Sequence, residues 1–137
     1  MNIYLIGSLR NPQVPVIANQ LREAGHETFD DWYAAGPEAD DKWRDYEQGR
    51  GHTLPLALQG YAAQHVFEFD RHHLLRADAV VLLMPAGKSA FLELGWALGK
   101  GKPGYILLQS EPDRYDVMFA FADGVFYSVE ELIDVLG

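Results

Sequence analysis

The chain of 137 residues contains no cysteine. That excludes a disulfide scaffold, a thiolate zinc site and a cysteine nucleophile, and it fits a reducing compartment. Positive charge is also scarce. Lys and Arg together number 11 against 20 Asp and Glu, a formal charge of −9. A surface of that sign repels phosphate backbones and anionic lipid, so neither a nucleic-acid partner nor a membrane surface is expected. A small anionic ligand stays open, because local donors can outweigh a global charge. No apolar run approaches the ~18 residues of a membrane span, and the N-terminus lacks the basic-then-apolar pattern of a signal segment. A cytoplasmic protein is the expectation. Internal repeats, low-complexity stretches and linkers are missing as well, so residues 1–137 read as one domain.

What is present is an ordinary globular composition, 48% apolar and 23% charged, long enough to bury a sizeable core. Residues 2–6 predict a short buried strand ending at Gly7. Residues 12–24 predict a helix with Val16, Ile17, Leu21 and Ala24 on one stripe and Gly25 as its stop. Residues 26–29 form a weaker strand. From Asp30 to about Thr53 the chain is polar, acidic and aromatic, with one short helix near 40–49. Residues 54–76 read as helical with a break around Gly60. Residues 79–84 are a continuous apolar run stopped by Pro85, as in a strand covered on both faces. A helix at 89–99, a strand at 104–108, a short helix near 112–119 and a strand at 124–127 follow. Ser128 then opens a last helix through a capping box closed by Glu131. Strands alternating with helices predict a five-stranded parallel sheet with helices on both faces. The 30–53 stretch is too long for a plain connection and reads as part of an inserted helical lid.

Open α/β sheets bind ligands beyond the carboxyl ends of their strands. Three turns should therefore face one crevice. They are Gly7-Ser8-Leu9-Arg10-Asn11, Asp30-Asp31-Trp32 with Tyr33, and Pro85-Ala86-Gly87-Lys88-Ser89. Together they offer a glycine-bearing turn, two hydroxyls, two cations, two carboxylates and an aromatic plate, a set suited to a small molecule. Any one of them alone is ordinary loop chemistry.

Glu93 is the most informative residue. Its helix is apolar nearly all round, which predicts burial, and Glu is almost never buried unless paired. With Ser89 as N-cap, Glu93 falls about one turn into the helix and leans back toward the strand end. A carboxylate there can serve as nucleophile, general base or sugar anchor; a structural Glu held by a neighbouring donor is the competing reading. Asp78, at the start of the third strand, reads as a cap or turn residue unless it reaches the crevice from the far end.

Several patterns do not carry chemistry. Gly87-Lys88-Ser89 resembles the tail of a phosphate loop, but Leu82 stands where the leading glycine belongs. Gly99, Gly101 and Gly104 match a dinucleotide fingerprint in letters but lie between a helix and a strand, the wrong context. Asp70-Arg71-His72-His73 lacks metal-ligand spacing and reads as structural or surface, so no metal is expected. Asp40-Asp41 reads as a solvated helix start.

Three blocks carry a resemblance. The run from Ala77-Asp78-Ala79-Val80-Val81 through Glu93-Leu94-Gly95-Trp96-Ala97 to Gly101-Lys102-Pro103 resembles the nucleoside 2-deoxyribosyltransferase superfamily, which includes 2′-deoxynucleoside 5′-phosphate N-hydrolases. Ile3-Tyr4-Leu5-Ile6-Gly7-Ser8-Leu9-Arg10 looks like that family's first strand and turn. Asp116-Val117-Met118 followed by Gly124-Val125 is similar to its Asn-x-Met segment. The resemblance implies a flavodoxin-like (Rossmann-like) three-layer fold and cleavage of an N-glycosidic bond without metal or organic cofactor. It implies that Glu93 attacks C1′ of the deoxyribose and forms a glycosyl-enzyme intermediate, which an acceptor base or water then resolves. A buried carboxylate suits the oxocarbenium-like transition state. The family places the Asp matching Asp78 near the nucleophile, and Asp31 or Asp78 is the candidate acid for the leaving base. Trp32 and Tyr33 are placed to stack on that base.

The departures bear on the substrate. Gly87 stands where the transferases carry a further Asp. Asp116 replaces the family Asn that a neighbouring subunit contributes, and its charge would repel a 5′-phosphate. Ser8 and Arg10 argue the other way, because the phosphate hydrolases use a similar turn on that phosphate, and Lys88 adds to it. The cost of an unpaired carboxylate beside a phosphate weighs toward transfer between free nucleosides. The deoxynucleoside 5′-monophosphate hydrolase remains the alternative. A non-catalytic nucleotide-binding sensor and an NAD-cleaving glycosidase are the readings from other classes. The resemblance also implies a homodimer or higher homo-oligomer with shared sites. Met118, Phe119, Phe121 and Phe126 read as either interface or core.

Overall fold

The computed structural model describes residues 1–137. Five parallel strands, β1 (Asn2–Ile6), β2 (Glu27–Phe29), β3 (Ala79–Leu83), β4 (Gly104–Leu107) and β5 (Gly124–Phe126), form one sheet in the order β2-β1-β3-β4-β5. That is the flavodoxin-like order. Period-two alternation sorts the strand residues between two cores. Ile3, Leu5, Val81 and Leu83 pack with α1 (Gln13–Glu23) and α6 (Val129–Leu136) on one face. Tyr4, Ile6, Val80 and Leu82 pack on the other face with α4 (Tyr61–Arg76) and α5 (Lys88–Gly99). All five residues of β3 are buried. At ~1.5–3 kcal/mol for each large apolar side chain, this strand anchors the centre of the sheet.

The 30–53 insert holds a 3-10 helix, Asp31–Ala35, and then α2 (Ala39–Gly49). α3 (Leu54–Leu58) follows and is separated from α4 by Gly60, which is the N-cap of α4. Lys102 Nζ donates to the carbonyls of Leu75 and Ala77, each at 2.7 Å, and so satisfies the carboxyl end of α4. Ser128 caps α6 as the sequence predicts, its Oγ accepting the Glu131 N–H at 3.2 Å. No helix is long and apolar enough to cross a membrane.

Four local expectations are corrected. The buried stripe of α1 is Val14, Ala18 and Leu21, while Val16 and Ala24 are exposed. Val14 sits between two prolines, which hid its place in the periodicity. The helix expected near 112–119 is a 3-10 helix at Val117–Phe121. α5 starts one residue early, so its N-cap is Gly87 and not Ser89, and no side chain caps it. Finally, α5 is apolar all round but not buried all round: Ala90, Leu94 and Ala97 face the core, whereas Leu92 is 75% exposed.

Candidate active site

Three polar side chains meet on the α4/α5 face of the sheet. Tyr4 comes from β1 and is 1% exposed. Asp70 comes from α4 and Glu93 from α5. Strand alternation turns Tyr4 toward these helices, and Asp70 shares its helical stripe with the buried Leu74 and Ala77, four and seven residues on. Glu93 follows Ala90 and precedes Leu94 and Ala97, the core-facing residues of α5, so it is held at the flank of the buried stripe.

The electrostatics are unusual for three such groups. Burial pushes the Glu93 carboxyl up to about 7; the Tyr4 hydroxyl pulls it back down, and the Asp70 charge pushes it further up. Burial also pushes the Asp70 carboxyl up to about 6. The Tyr4 phenol is driven well above its ordinary range, by burial first and then by Glu93 and Asp70, so it stays a donor. No Lys, Arg or His pairs with Glu93 or Asp70. Glu93 Oε2 is buried without a hydrogen-bond partner. A carboxylate kept for stability is paired. One largely buried, without a cationic partner, with one oxygen unsatisfied and shifted toward neutrality beside a second shifted carboxyl has the character of a reacting group.

The flanking turns frame this cluster. Gly7 ends β1 where a side chain has little room: a Cβ there would sit 3.1 Å from Val14 Cγ2 and 3.6 Å from Trp32 Cη2. Trp32 donates Nε1–H to the Leu5 carbonyl at 2.8 Å and packs against both cores. It is thus held as a strut over the sheet end, with part of its surface still open. Tyr33 meets it edge-on, with centroids 5.9 Å apart, and also packs on the core. Asn11 is buried; its Oδ1 accepts the Gln13 N–H at 3.0 Å and its Nδ2 reaches Gln109 at 3.4 Å, a structural placement. Asp31 is exposed at the end of β2, where its charge acts on His73. The His73 ring lies flat on Phe29 with centroids 4.0 Å apart. Burial, then His72 and Arg76, lower its pKa and favour the neutral ring, against the opposing pull of Asp31. Gly87 and Ser89 flank the first residue of α5 and are exposed.

Asp78 does not join the cluster. Its Oδ2 accepts the Asn2 N–H at 2.7 Å, tying the amino ends of β1 and β3 together. Asp116 and Met118 are also elsewhere. Asp116 Oδ1 accepts the Met118 N–H at 2.9 Å, and both residues line an apolar groove of about 1750 Å³ between α5 and residues 114–123. That groove uses the Phe91, Gly95 and Leu98 side of α5, so the helix stands between it and Glu93. No group of three or more His, Asp or Glu side chains is arranged to hold a metal ion.

Sequence reasoning missed Tyr4 and set Asp70 aside as structural or surface. The spacing of Asp70 to Leu74 and Ala77 was the available signal, because it places the carboxylate on the core stripe of α4.

No family model matches the sequence, and no curated protein does. Solved structures do match. One is a 2-deoxyribosyltransferase of Bacillus psychrosaccharolyticus, with a TM-score of 0.67 and 19% identity over 98% of this chain and 91% of that one. Another is a CMP N-glycosidase of Clostridium botulinum, with a TM-score of 0.59 and 14% identity over 99% and 98% of the two chains. At these identities the likeness establishes a common fold.

Proposed function

We propose that this protein cleaves the N-glycosidic bond of 2′-deoxynucleosides and transfers the deoxyribosyl group to an acceptor base. The observation that carries this reading is the largely buried Glu93 carboxylate, without a cationic partner, beside Tyr4 and Asp70. In the first step a Glu93 oxygen bonds to C1′ as the bond from C1′ to the base breaks. The electron pair goes to the base, which takes a proton from Asp70. The acceptor base then attacks C1′, the Glu93 ester breaks, and the acceptor's proton returns to Asp70. The Tyr4 phenol orients the attacking carboxylate. This assigns the leaving-group proton to Asp70 in place of Asp31 or Asp78, because Asp70 is the second carboxyl beside Glu93, whereas Asp31 is exposed and Asp78 is held by the Asn2 N–H. Of the two enzymes of like fold, one is by name an N-glycosidase and the other a 2-deoxyribosyltransferase, which supports the bond class. A sensor has little reason to bury a carboxylate without a cation beside it.

The test is chromatography of purified protein with deoxynucleosides, with and without a free acceptor base. A new deoxynucleoside that appears only with acceptor is the expected result. Base released equally in both conditions makes water the acceptor. No turnover of any deoxynucleoside or its monophosphate sinks the reading.

We further infer that copies of this chain share their sites. Asp116 and Met118 are screened from their own Glu93 by α5, and the surface around them is apolar, with Tyr115 80%, Met118 60% and Phe121 75% exposed. Phe119, stacked on Phe91, and Phe126 are instead partly buried. Sedimentation should show a dimer or larger assembly. A fully active monomer at assay concentration is the opposing result.

A further inference from the structure

Open α/β sheets take the anionic end of a ligand on the glycine-bearing turn after the first strand. Here the groups of that turn are engaged within the chain. Ser8 Oγ accepts the Arg10 backbone N–H at 3.1 Å. The Arg10 guanidinium donates through Nη2 to Asp41 Oδ2 at 3.1 Å. Asp41 belongs to α2, and its other oxygen lies 3.6 Å from Arg44 Nη1. The insert is acidic as a whole: residues 31–50 carry six carboxylates against three cations. Lys88 is the other cation beside the strand ends and has no carboxylate partner. It lies about 140° around α5 from Glu93.

We propose that Asp41 sets the charge of the substrate: by holding the Arg10 guanidinium it closes the first turn to a 5′-phosphate and leaves the crevice selective for neutral deoxynucleosides. A phosphate reaching Arg10 must displace the Asp41 carboxylate and then remain beside it, like charge against like. A 5′-hydroxyl meets neither cost. The pair is exposed, so its strength is modest on its own. Its effect lies in which ligand it rejects, since discrimination is a difference between two affinities and a repulsive neighbour contributes to it directly. Asp41 touches Arg10 and not the substrate, and so acts as a positioning residue.

The inference rests on the N-glycosidic reading of Glu93, and one experiment separates the two. Steady-state kinetics are measured on deoxynucleosides of the common bases and on their 5′-monophosphates, for the wild type, D41N and the double variant R10A/D41N. The wild type should prefer the nucleosides. D41N should raise kcat/KM on the monophosphates about tenfold relative to the nucleosides, the worth of one charge-assisted hydrogen bond. The gain should fall in KM and vanish in R10A/D41N. A wild type that prefers monophosphates overturns the role of Asp41, as does a D41N variant that shifts both substrate classes alike. A folded wild type that cleaves neither class overturns the N-glycosidic reading itself, and this inference with it.

Discussion

Replacing Glu93 by Gln should lower turnover at least ~10²-fold, the scale of losing a group that bonds to the substrate. Gln keeps the shape and volume of the side chain but cannot form the ester. The loss should fall mainly on kcat, because nucleoside binding draws on the turns around the crevice and not on the nucleophile alone. The measurement is the chromatographic assay under saturating nucleoside and acceptor. Mass spectrometry of wild-type enzyme quenched with nucleoside alone should place a deoxyribosyl adduct on the peptide containing Glu93, and E93Q should show none. Near-normal turnover by E93Q would remove this carboxylate from the mechanism and leave Asp70 as the group to examine. Asp70→Asn should also lose activity, through the departing base. Its deficit should shrink with nucleosides whose bases leave readily without a proton.

The same substitution should make the protein more stable at alkaline pH. The Glu93 carboxyl is held at about 7 in the fold, above its ordinary 4.5. Between those values the folded chain binds more protons than the unfolded chain, so stability falls as pH rises through that window. Above it the fold carries the whole cost of an ionised, unpaired carboxylate. From about pH 5 to about pH 8.5 the stability of E93Q relative to wild type should rise by about 2–3 kcal/mol, a pKa unit being worth about 1.4 kcal/mol. Asp70, raised by its own burial, acts in the same direction in the wild type and in E93Q, and so largely cancels from the comparison. Denaturant melts of both proteins at the two pH values read the effect. Lost activity joined to gained stability is what a functional carboxylate gives. A Glu that served the fold would lose stability on becoming Gln, and that outcome would return Glu93 to a structural role.

Much of this architecture is legible without coordinates. The apolar run 79–84, the Gly60 break and the Ser128 cap each follow from residues adjacent in sequence, and strand–helix alternation carries the parallel sheet. Glu93 is legible for a similar reason: a carboxylate inside an apolar helix has to be accounted for wherever that helix packs. Its neighbours are not legible. Tyr4 and Asp70 lie 66 residues apart in sequence, and they meet only because the chain crosses from β2 to β3, past β1, over the face that α4 and α5 cover. Asp78 matches a residue that the family resemblance places near the nucleophile, yet in the fold its carboxylate is taken by the Asn2 N–H where β1 and β3 begin. Trp32 offered an aromatic face in sequence, but in the fold it reaches the Leu5 carbonyl and closes the sheet end. Arg10 looked like a free cation until α2 brought Asp41 to it. Periodicity and capping are local, so the sequence by itself determined the elements, their order and the one carboxylate out of place. Which polar groups face one another depends on crossovers and strand lengths that sum over the whole chain, and only the tertiary structure decided those.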